Sequence, residues 1–480
     1  MRNNFRTLSI VEHKSFTIED IKECVENSDE ALASKIYTEL ENFTKDEKNK
    51  NFLSFCKKDT LKAKNYVGII QTKSGFTLEI LPKIANVENK KIACSCNGNY
   101  KSDSKTLDDK INSFCEGLLD LDSNLQNISN SNNVCAYCQS KDFFFSCLKT
   151  LRNAPFKSND FANLKAHNLP LLEVFILMFL AELDNLVKKG IKSDYINIDE
   201  NRKMLKGKIV FNEHLKQNMI VKKGFFTQND EFLSDIPANR LIVSTLIKLS
   251  KYKLSSKTST RIMQSRFIFD EIPQSKNYKS DFEKSNISRM LKDYHLILQW
   301  CKLFLNNQSF MQDSGESECL TLLFDMNVLF ESFVAYHLKK YPKFQKVGTQ
   351  SSGKYLTRND KEEPFFMLKP DIWIRDKNII CDTKWKILNN SEQDNYGISQ
   401  GDMYQMWAYA TRFEAKKIVL IYPLCEAIKD LKIDCRYFEF EAECGKFIKS
   451  NNKSESQNEN VKVYINFFPL SANEVNNRLI

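Results

Sequence analysis

The spacing of apolar and polar residues predicts several helices and strands in the N-terminal and middle parts of the chain. Residues 66–84 contain two β-prone runs around a Lys-Ser-Gly turn, which is typical of a hairpin. Residues 170–189 are densely apolar and end at Gly190, so they predict a long helix with a glycine C-cap. Apolar residues recur at helical spacing in 239–253 and 287–306. The middle of the chain is therefore expected to be mostly helical.

The pattern changes in the C-terminal part of the chain, where helical and strand-like segments alternate. Alternation of this kind is typical of a sheet with helices packed against it. The predicted elements are a helix at about 321–340, strands at about 368–374 and 379–386, a helix at about 400–413, and strands at 417–422 and 461–468.

These patterns predict a multidomain α/β (α+β) protein with three regions. A mixed N-terminal region covers residues 1–160, a largely helical region covers 161–314, and 315–480 form a domain with a central mixed sheet flanked by helices. Within the first region, 86–145 are rich in Asn, Ser, Lys and Asp, which indicates an insertion or a poorly packed loop. A second polar stretch at 449–460 predicts a flexible loop.

Composition and charge narrow the class of protein. With 480 residues, 42% of them hydrophobic and 12% aromatic, the chain can bury a sizeable core and is not of the disordered class. Its 70 Lys and Arg against 61 Asp and Glu give a net charge of +9, which permits a polyanionic partner without establishing one. Residues 1–16 hold no apolar core of a signal peptide, and the most apolar run, Val174–Ala181, is too short to span a bilayer. We therefore expect a cytoplasmic protein that binds no membrane and keeps its thiols reduced.

The segment with the most chemical information is 368–386, which reads LKPDIWIRDKNIICDTKWK. We interpret it as a β-hairpin that turns at 375–378, because Asp and Asn in that stretch favour turns. In that register Asp371 lies opposite Asp382, and directly opposed residues share one face with Cβ atoms about 5 Å apart. Strand alternation places Lys384 on the same face. One strand pair therefore presents two carboxylates and an ammonium group together.

This grouping suggests a metal site. Two carboxylates so close repel each other unless a positive charge lies between them. Mg²⁺ suits that position, because it binds one or two carboxylates together with waters and a phosphate oxygen. Held by Asp371 and Asp382, the metal could activate water against a phosphodiester while Lys384 stabilises the developing charge. The alternative is a solvated surface on which the lysine forms an ordinary ion pair with the aspartates.

Two neighbouring helices contain polar residues that favour the catalytic interpretation. Glu331 lies in an apolar stripe of the 321–340 helix, where a carboxylate is costly unless it is paired or bound to metal. Ser399 is the predicted N-cap of the next helix. That helix presents a polar face that includes Asp402 and Gln405 and could contact phosphates. An ordinary solvent-exposed face explains that second helix equally well.

The order of these residues resembles the PD-(D/E)xK nuclease motif, since Pro370-Asp371 is followed by Asp382-Thr383-Lys384. The surrounding sequence narrows the resemblance to the McrC family, the nuclease subunit of McrBC-type 5-methylcytosine-dependent restriction systems. Stretches that resemble this family follow one another in the right order. They are GIIQTKSGFTLEILPKI (68–84), PLLEVFILMFLAEL (170–183), NRKMLKGKI (201–209), DIPANRLI (235–242), MNVLFESFV (326–334), LKPDIWI (368–374), DTKWK (382–386) and DMYQMWAYA (402–410).

The resemblance to McrC implies a nuclease that works with an McrB-like AAA+ GTPase hexamer. In such a complex the hexamer recognises and translocates double-stranded DNA with modified cytosine. The McrC-like subunit docks on the hexamer, stimulates GTP hydrolysis and cuts both DNA strands. Docking would use the N-terminal region, 1–160, together with the helical middle region.

The same resemblance assigns expected roles to individual residues. Asp371, Asp382 and Lys384 match the nuclease core of the family, with Mg²⁺ on the two aspartates. Glu331 corresponds to the first acidic residue of the motif, whose position varies within the fold. Gln405, with its neighbour Tyr404, is a candidate for contacts with DNA.

Two other functions stay open on the sequence alone. One is a non-catalytic adaptor that only activates an AAA+ GTPase. The other is a different PD-(D/E)xK nuclease, such as a resolvase or transposase subunit. The chain contains no GxxxxGK[ST] phosphate loop, so we expect it to bind no nucleotide itself.

Four of the 14 cysteines form two closely spaced pairs, Cys94-x-Cys96 and Cys135-x-x-Cys138. Four thiolates with paired spacing could bind a structural Zn²⁺ tetrahedrally, and Cys115 or Cys147 could replace one of the four ligands. The long interval between the pairs and the unusual CxC half-site leave reduced, unliganded thiols as the alternative. A zinc ion would explain how the polar insertion stays ordered.

Overall fold

The computed structural model describes most of the chain and shows a mixture of helices and sheets, which confirms a multidomain α+β protein. In this part of the chain, no helix is both long and apolar enough to cross a membrane. The described residues are 7–84, 92–96, 104–121, 135–151, 155–156, 169–220, 224–287, 289–305, 320–351, 353–415, 417–425, 428, 431, 437–440 and 461–470.

The strands within these residues assemble into sheets of two to six strands. They are β1 (Thr7–Val11), β2 (Ser15–Thr17), β3 (Leu53–Lys57), β4 (Thr60–Ala63), β5 (Tyr66–Gln71), β6 (Thr77–Leu81), β7 (Asp194–Arg202), β8 (Lys208–Ile209), β9 (Phe225–Leu233), β10 (Leu320–Asp325), β11 (Val347–Thr349), β12 (Lys354–Arg358), β13 (Pro364–Leu368), β14 (Ile372–Ile374), β15 (Ile379–Thr383), β16 (Lys417–Leu424), β17 (Tyr437–Glu439) and β18 (Lys462–Pro469).

The α-helices range from one turn to five turns in length. They are α1 (Ile18–Lys22), α2 (Glu30–Lys45), α3 (Ser104–Leu119), α4 (Ala136–Thr150), α5 (Leu171–Lys189), α6 (Phe211–Asn218), α7 (Pro237–Leu249), α8 (Ser256–Ile268), α9 (Tyr278–Ile287), α10 (His295–Leu305), α11 (Met326–Lys340) and α12 (Gln400–Phe413).

The chain is divided into two compact units. Described residues from 169 to 322 form the middle unit. Those from 7 to 156 and from 323 to 470 together form the second, which we call the terminal unit. The N-terminal and C-terminal regions predicted from the sequence therefore lie in one compact body. Contacts of α4 with the C-terminal region explain this, because Phe143 packs against Phe333 and Trp385.

A six-stranded mixed sheet lies in the terminal unit, with strand order β11-β14-β15-β16-β18-β17. β14 and β15 are antiparallel, whereas β15, β16 and β18 run parallel. β15 and β16 are mostly apolar and are buried along nearly their full length, as expected for strands covered on both faces. The central mixed sheet predicted for the C-terminal region is therefore present.

Helix α4 supports the chain immediately after β15 through aromatic contacts. The Phe143 ring stacks on the Trp385 indole with 5.6 Å between centroids, and it meets Phe333 of α11 edge-on at 5.3 Å. The Trp385 indole N–H donates a hydrogen bond of 2.6 Å to the Glu12 carboxylate. Burial raises the pKa of Glu12, while the charge of Lys83 and the hydrogen bonds from Lys83 and Trp385 act in the opposite direction. These contacts fix the chain at the position where β15 ends.

The middle unit has a helical core and a three-stranded sheet in the order β7-β9-β8. α5 is buried over most of its length and ends at Gly190, whose φ of 95° confirms the predicted glycine C-cap. Rings of α10 contact rings of α5, since Trp300 lies 6.5 Å from Phe175 and Phe304 lies 5.8 Å from Phe179. The mostly helical character predicted for this region is therefore confirmed.

The helix predicted at 321–340 begins too early, because residues 321–325 belong to strand β10. The last residue of β10 caps the helix that follows. β10 ends at Asp325, whose carboxylate accepts a hydrogen bond of 2.8 Å from the Asn327 backbone N–H and so caps α11. Phe324 consequently lies on a strand and not on the helix. A short continuous apolar run does not distinguish a buried strand from a helix, which explains the error.

The polar stretch 86–145 is more ordered than its composition predicts, because it contains α3 and most of α4. The buried rings Phe143, Phe144 and Phe145 cluster at its end, and their signal is lost in the average over the stretch. Residues 85–91, 97–103 and 122–134 in and beside the insertion lie outside the described residues, and so does the predicted loop at 449–460.

Removing the Phe143 ring is expected to weaken the terminal unit. Phe143→Ala leaves a cavity beside Trp385 and Phe333, and a buried Phe→Ala change typically costs about 3–5 kcal/mol. Urea unfolding followed by tryptophan fluorescence measures the loss. The matched control is Phe55→Ala, since Phe55 is 50% exposed in the same unit. Equal unfolding midpoints for the two variants would contradict the supporting role of α4.

Candidate active site at the ends of β14 and β15

The hairpin of β14 and β15 has the register predicted from the sequence. Ile374 pairs with Ile379 and Ile372 pairs with Cys381. Continuing that register places Asp371, just before β14, opposite Asp382 of β15. Lys384 follows directly after β15, so the two carboxylates and the ammonium group come together at the same end of the strand pair.

Asp382 is the most deeply buried of these charged groups, with 1% of the residue exposed. Its Oδ2 atom lies 2.7 Å from the Lys384 Nζ atom. Burial raises the pKa of Asp382 to about 7, and the nearby negative charge of Asp371 contributes to the rise, while Lys384 acts in the opposite direction. The carboxylate is therefore ionised at neutral pH only in part, unless more positive charge reaches it.

Asp371 is held by Thr383, the residue at the end of β15. The Thr383 backbone N–H and side-chain hydroxyl each donate a hydrogen bond of 2.8 Å to Oδ2 of Asp371. Burial raises the pKa of Asp371, while these hydrogen bonds and the charge of Lys384 oppose the rise. Both bonds use Oδ2, whereas Oδ1 accepts a longer hydrogen bond of 3.4 Å from the Gln350 amide and keeps a lone pair for another ligand.

Glu331 approaches the two aspartates from α11. Gln350 links it to Asp371, because the Gln350 side-chain amide donates to Glu331 Oε1 at 2.8 Å and to Asp371 Oδ1 at 3.4 Å. Burial, followed by repulsion from Asp371, raises the pKa of Glu331 to about 7. The predicted position in an apolar stripe is only partly right. The buried face of α11 is formed by neighbours such as Phe330 and Val334, and Glu331 is half-buried at its border.

Lys384 is held in place by groups on α12. Its Nζ atom donates to Oε1 of Gln405 at 3.1 Å and lies 3.3 Å from the Asp402 carboxylate. Burial alone would lower the pKa of Lys384, but the charges of Asp382 and Asp402 outweigh it and the net shift is upward. Lys384 is therefore positively charged at neutral pH, and its ammonium group lies against the carboxylates of Asp382 and Asp402.

The polar face of α12 is directed partly into the site. Ser399 and Asp402 form a capping box at the helix start, as predicted for the N-cap, and Asp402 also forms an ion pair of 3.0 Å with Lys386. Gln405 donates to the Tyr409 hydroxyl at 2.8 Å. Tyr404 lies elsewhere, since 71% of it is exposed. Gln405 thus positions Lys384, whereas Tyr404 is accessible to a ligand.

The contacts that Gln350 and Thr383 form with the site could not be predicted from the sequence, whereas the contact of Asp402 could. Gln350 lies far from the motif along the chain, and only the pairing of β11 with β14 brings it there. Strand alternation predicts that the Thr383 side chain points away from the face that carries Asp371. Asp371, however, precedes Ile372, the first residue of β14 that pairs with β15. Alternation therefore does not determine the direction of the Asp371 side chain. The position of Asp402 could be predicted, because its spacing from Ser399 is that of a capping box.

The donor set of this cluster fits a hard divalent cation. Glu331, Asp371 and Asp382 all offer carboxylate oxygens. The raised pKa values of Glu331 and Asp382 reflect burial and negative charge that the neighbouring lysines, Lys339 and Lys384, do not fully offset. Mg²⁺ usually takes only one or two carboxylates, so Asp371 and Asp382 would suffice as direct ligands.

The four candidate zinc cysteines also come together, as their sulfur atoms all lie within 4.8 Å of one another.

Comparison with known proteins places the chain in a family. The family model described as "McrBC 5-methylcytosine restriction system component" matches residues 61–423, so the chain belongs to that family. A chain of a solved assembly, the Thermococcus gammatolerans McrB AAA+ hexamers with bound McrC, aligns with a TM-score of 0.57 and 18% identity over 96% of this chain and 95% of that chain. This likeness shows a shared fold.

A second structural match has a lower score. A chain of the cryo-EM structure of the Thermococcus gammatolerans McrBC complex aligns with a TM-score of 0.42 and 19% identity, over 71% of this chain and 89% of that chain. No curated protein matches the sequence.

The raised pKa values predict a pH-dependent stability in the absence of divalent metal. The folded-state pKa of Asp382 is about 7, above its ordinary value of 3.8, so the protonated carboxyl stabilises the fold at low pH. That contribution is lost as the pH rises from about 4 through about 7. In EDTA, the thermal unfolding midpoint of the wild type should fall over this window, and the fall should be smaller for Asp382→Asn.

Asp360→Asn is the matched control, because Asp360 is exposed in the same unit. It should reproduce the wild-type curve. An identical pH response in wild type and Asp382→Asn would show that Asp382 does not titrate in this window.

Proposed function

We propose that this chain is the McrC-type subunit of a modification-dependent restriction complex and a Mg²⁺-dependent DNA endonuclease. The observation that carries the proposal is the clustering of Asp371, Asp382 and Lys384 at one end of the β14–β15 hairpin. Glu331 joins them from the preceding helix, α11, through Gln350. The order of these residues along the chain, and the mixed sheet that holds them, agree with a PD-(D/E)xK nuclease.

The side chains of the cluster suit hydrolysis of a phosphodiester. Asp371 and Asp382 would hold Mg²⁺, which supplies a polarised phosphate oxygen and a more acidic water when it is bound. Lys384 is positioned by Gln405 and Asp402 to orient a water molecule or to stabilise negative charge on the phosphate. Glu331 is half-buried with a pKa near 7, so it can accept or hold a proton at neutral pH.

The proposed partner is an McrB-like AAA+ GTPase hexamer. The similar solved assembly consists of McrB AAA+ hexamers with bound McrC, and the proposal extends that association to this chain. Exposed apolar side chains on the middle unit support a docking surface there, because large exposed apolar residues in one region often mark protein contacts. They include Met204, Leu205, Phe211, Leu215, Met219 and Ile220, each more than half exposed.

The proposed substrate is double-stranded DNA with modified cytosine, whose recognition we assign to the partner. On this chain, Tyr404 is exposed next to Gln405 on α12 and could stack on or hydrogen-bond to a nucleotide. Gln405 is engaged with Lys384, so its contribution would be to position the lysine.

Asp382→Asn should abolish DNA cleavage by the complex of this chain with its GTPase partner, Mg²⁺ and GTP. The substitution keeps the shape of the side chain but removes the charge that would bind the metal, and we expect a loss of roughly a hundredfold or more. Cleavage of methylated and unmethylated DNA on gels measures it, with Asp360→Asn as control. Partner binding and stimulated GTP hydrolysis should be unchanged.

Continued cleavage by Asp382→Asn would contradict the proposed site. Stimulation of the GTPase by a wild-type chain that never cuts DNA would instead identify a non-catalytic adaptor. Cleavage without any GTPase partner would favour a different nuclease on the same fold.

A further inference from the structure

The two cysteine pairs of the insertion converge in space. The Sγ atoms of Cys94 and Cys96 are 3.4 Å apart, and that of Cys138 lies 3.6 Å from the first and 3.5 Å from the second. All four sulfur atoms, including that of Cys135, lie within 4.8 Å of one another. Among the described residues, this is the one group of three or more metal-ligand side chains that meets so closely.

The distances between the sulfur atoms match a single tetrahedral metal. A disulfide would bring two sulfurs to about 2.05 Å, far closer than any pair here. With Zn–S bonds of about 2.3 Å, the edges of a regular ZnS₄ tetrahedron are about 3.8 Å long. The measured distances of 3.4–3.6 Å are close to that edge. A cluster of several irons would hold the sulfurs farther apart, because its core lies between them.

The start of α4 presents one cysteine pair in a suitable geometry. Cys135 is the N-cap of α4 and Cys138 lies in the first turn, so their side chains project from the same side of the helix start. The positive end of the helix dipole favours thiolates at this position. The Ser95 backbone N–H also donates to the Cys135 sulfur at 3.4 Å, as backbone amides do around metal-bound thiolates.

A buried lysine lies one turn further along the same helix. Lys141 is fully buried on α4, and its ammonium group lies 3.3 Å from the Tyr137 hydroxyl. Burial lowers the pKa of Lys141 overall, and negative charge on Glu79, Cys138 and Cys94 opposes that shift without reversing it. A zinc ion with four thiolates has a net charge of −2, which favours the protonated form of Lys141 and is in turn stabilised by it.

We propose that Cys94, Cys96, Cys135 and Cys138 bind one structural Zn²⁺. The metal ties the short segment 92–96 to the first turn of α4. It therefore fixes the start of the helix whose Phe143 stacks on Trp385, next to Lys384. This site does not depend on the proposed nuclease function, and its metal is a structural ion with no open coordination position.

Metal analysis of the full-length protein, purified without chelators, tests the site. Elemental mass spectrometry should give one zinc per chain, and X-ray absorption at the zinc edge should give four sulfur ligands near 2.3 Å. Cys138→Ser should lose the zinc and unfold at a lower temperature. Cys56→Ser is the matched control, because Cys56 is exposed and outside the cluster, and it should keep the metal.

Cobalt substitution gives a second readout that needs no variant. Co²⁺ exchanged into the wild type should show the absorption bands of a tetrahedral tetrathiolate complex, even if Cys138→Ser fails to fold. Wild-type protein without zinc, in which all four thiols react freely with a thiol reagent, would overturn the proposal. So would stoichiometric iron, or zinc bound through oxygen and nitrogen ligands. Asp382→Asn should retain the zinc whatever its effect on DNA cleavage.

Discussion

The terminal unit depends on one electrostatic constraint: the carboxylates of Glu331, Asp371 and Asp382 share a partly buried site with the ammonium group of Lys384. Glu331, Asp371 and Asp382 are brought there by α11, the start of β14 and the end of β15. Burial and mutual repulsion raise the pKa of Glu331 and Asp382 to about 7, although Lys384 lies only 2.7 Å from Asp382. Such an arrangement costs stability without more positive charge. A divalent cation would supply that charge, which is why we interpret the cluster as a metal-dependent site.

The surrounding structure holds these groups against their repulsion. Thr383 fixes Asp371 with two hydrogen bonds, and Gln350 bridges Asp371 and Glu331. Gln405 of α12 holds Lys384. Behind them, Trp385 is stacked on Phe143 of α4, so the N-terminal half of the terminal unit contributes directly to the rigidity of the hairpin. The proposed catalytic motif therefore requires residues from most of the unit.

The sequence predicted the parts of this site that depend on local periodicity. The hairpin register followed from the turn at 375–378, and α12 followed from its N-cap and its amphipathic spacing. The role of Gln350 could not be predicted, because it arises from the pairing of β11 with β14, which the paired strands β12 and β13 separate along the chain. The helices within 86–145 were also missed. The composition of the whole stretch is polar, and it hides the few buried aromatic residues of α4. The resemblance to the McrC family was recognised from short sequence motifs that follow one another in a consistent order.

Calorimetric titration with Mn²⁺, a close analogue of Mg²⁺, tests the central claim most directly. The full-length wild type, first treated with EDTA and then freed of it, should bind Mn²⁺ at the carboxylate cluster and release protons in doing so at a pH near 7. Asp382→Asn should lose that binding, whereas Asp360→Asn should bind as the wild type does. Equal Mn²⁺ affinity in wild type and Asp382→Asn would contradict the assignment of this cluster as the metal site.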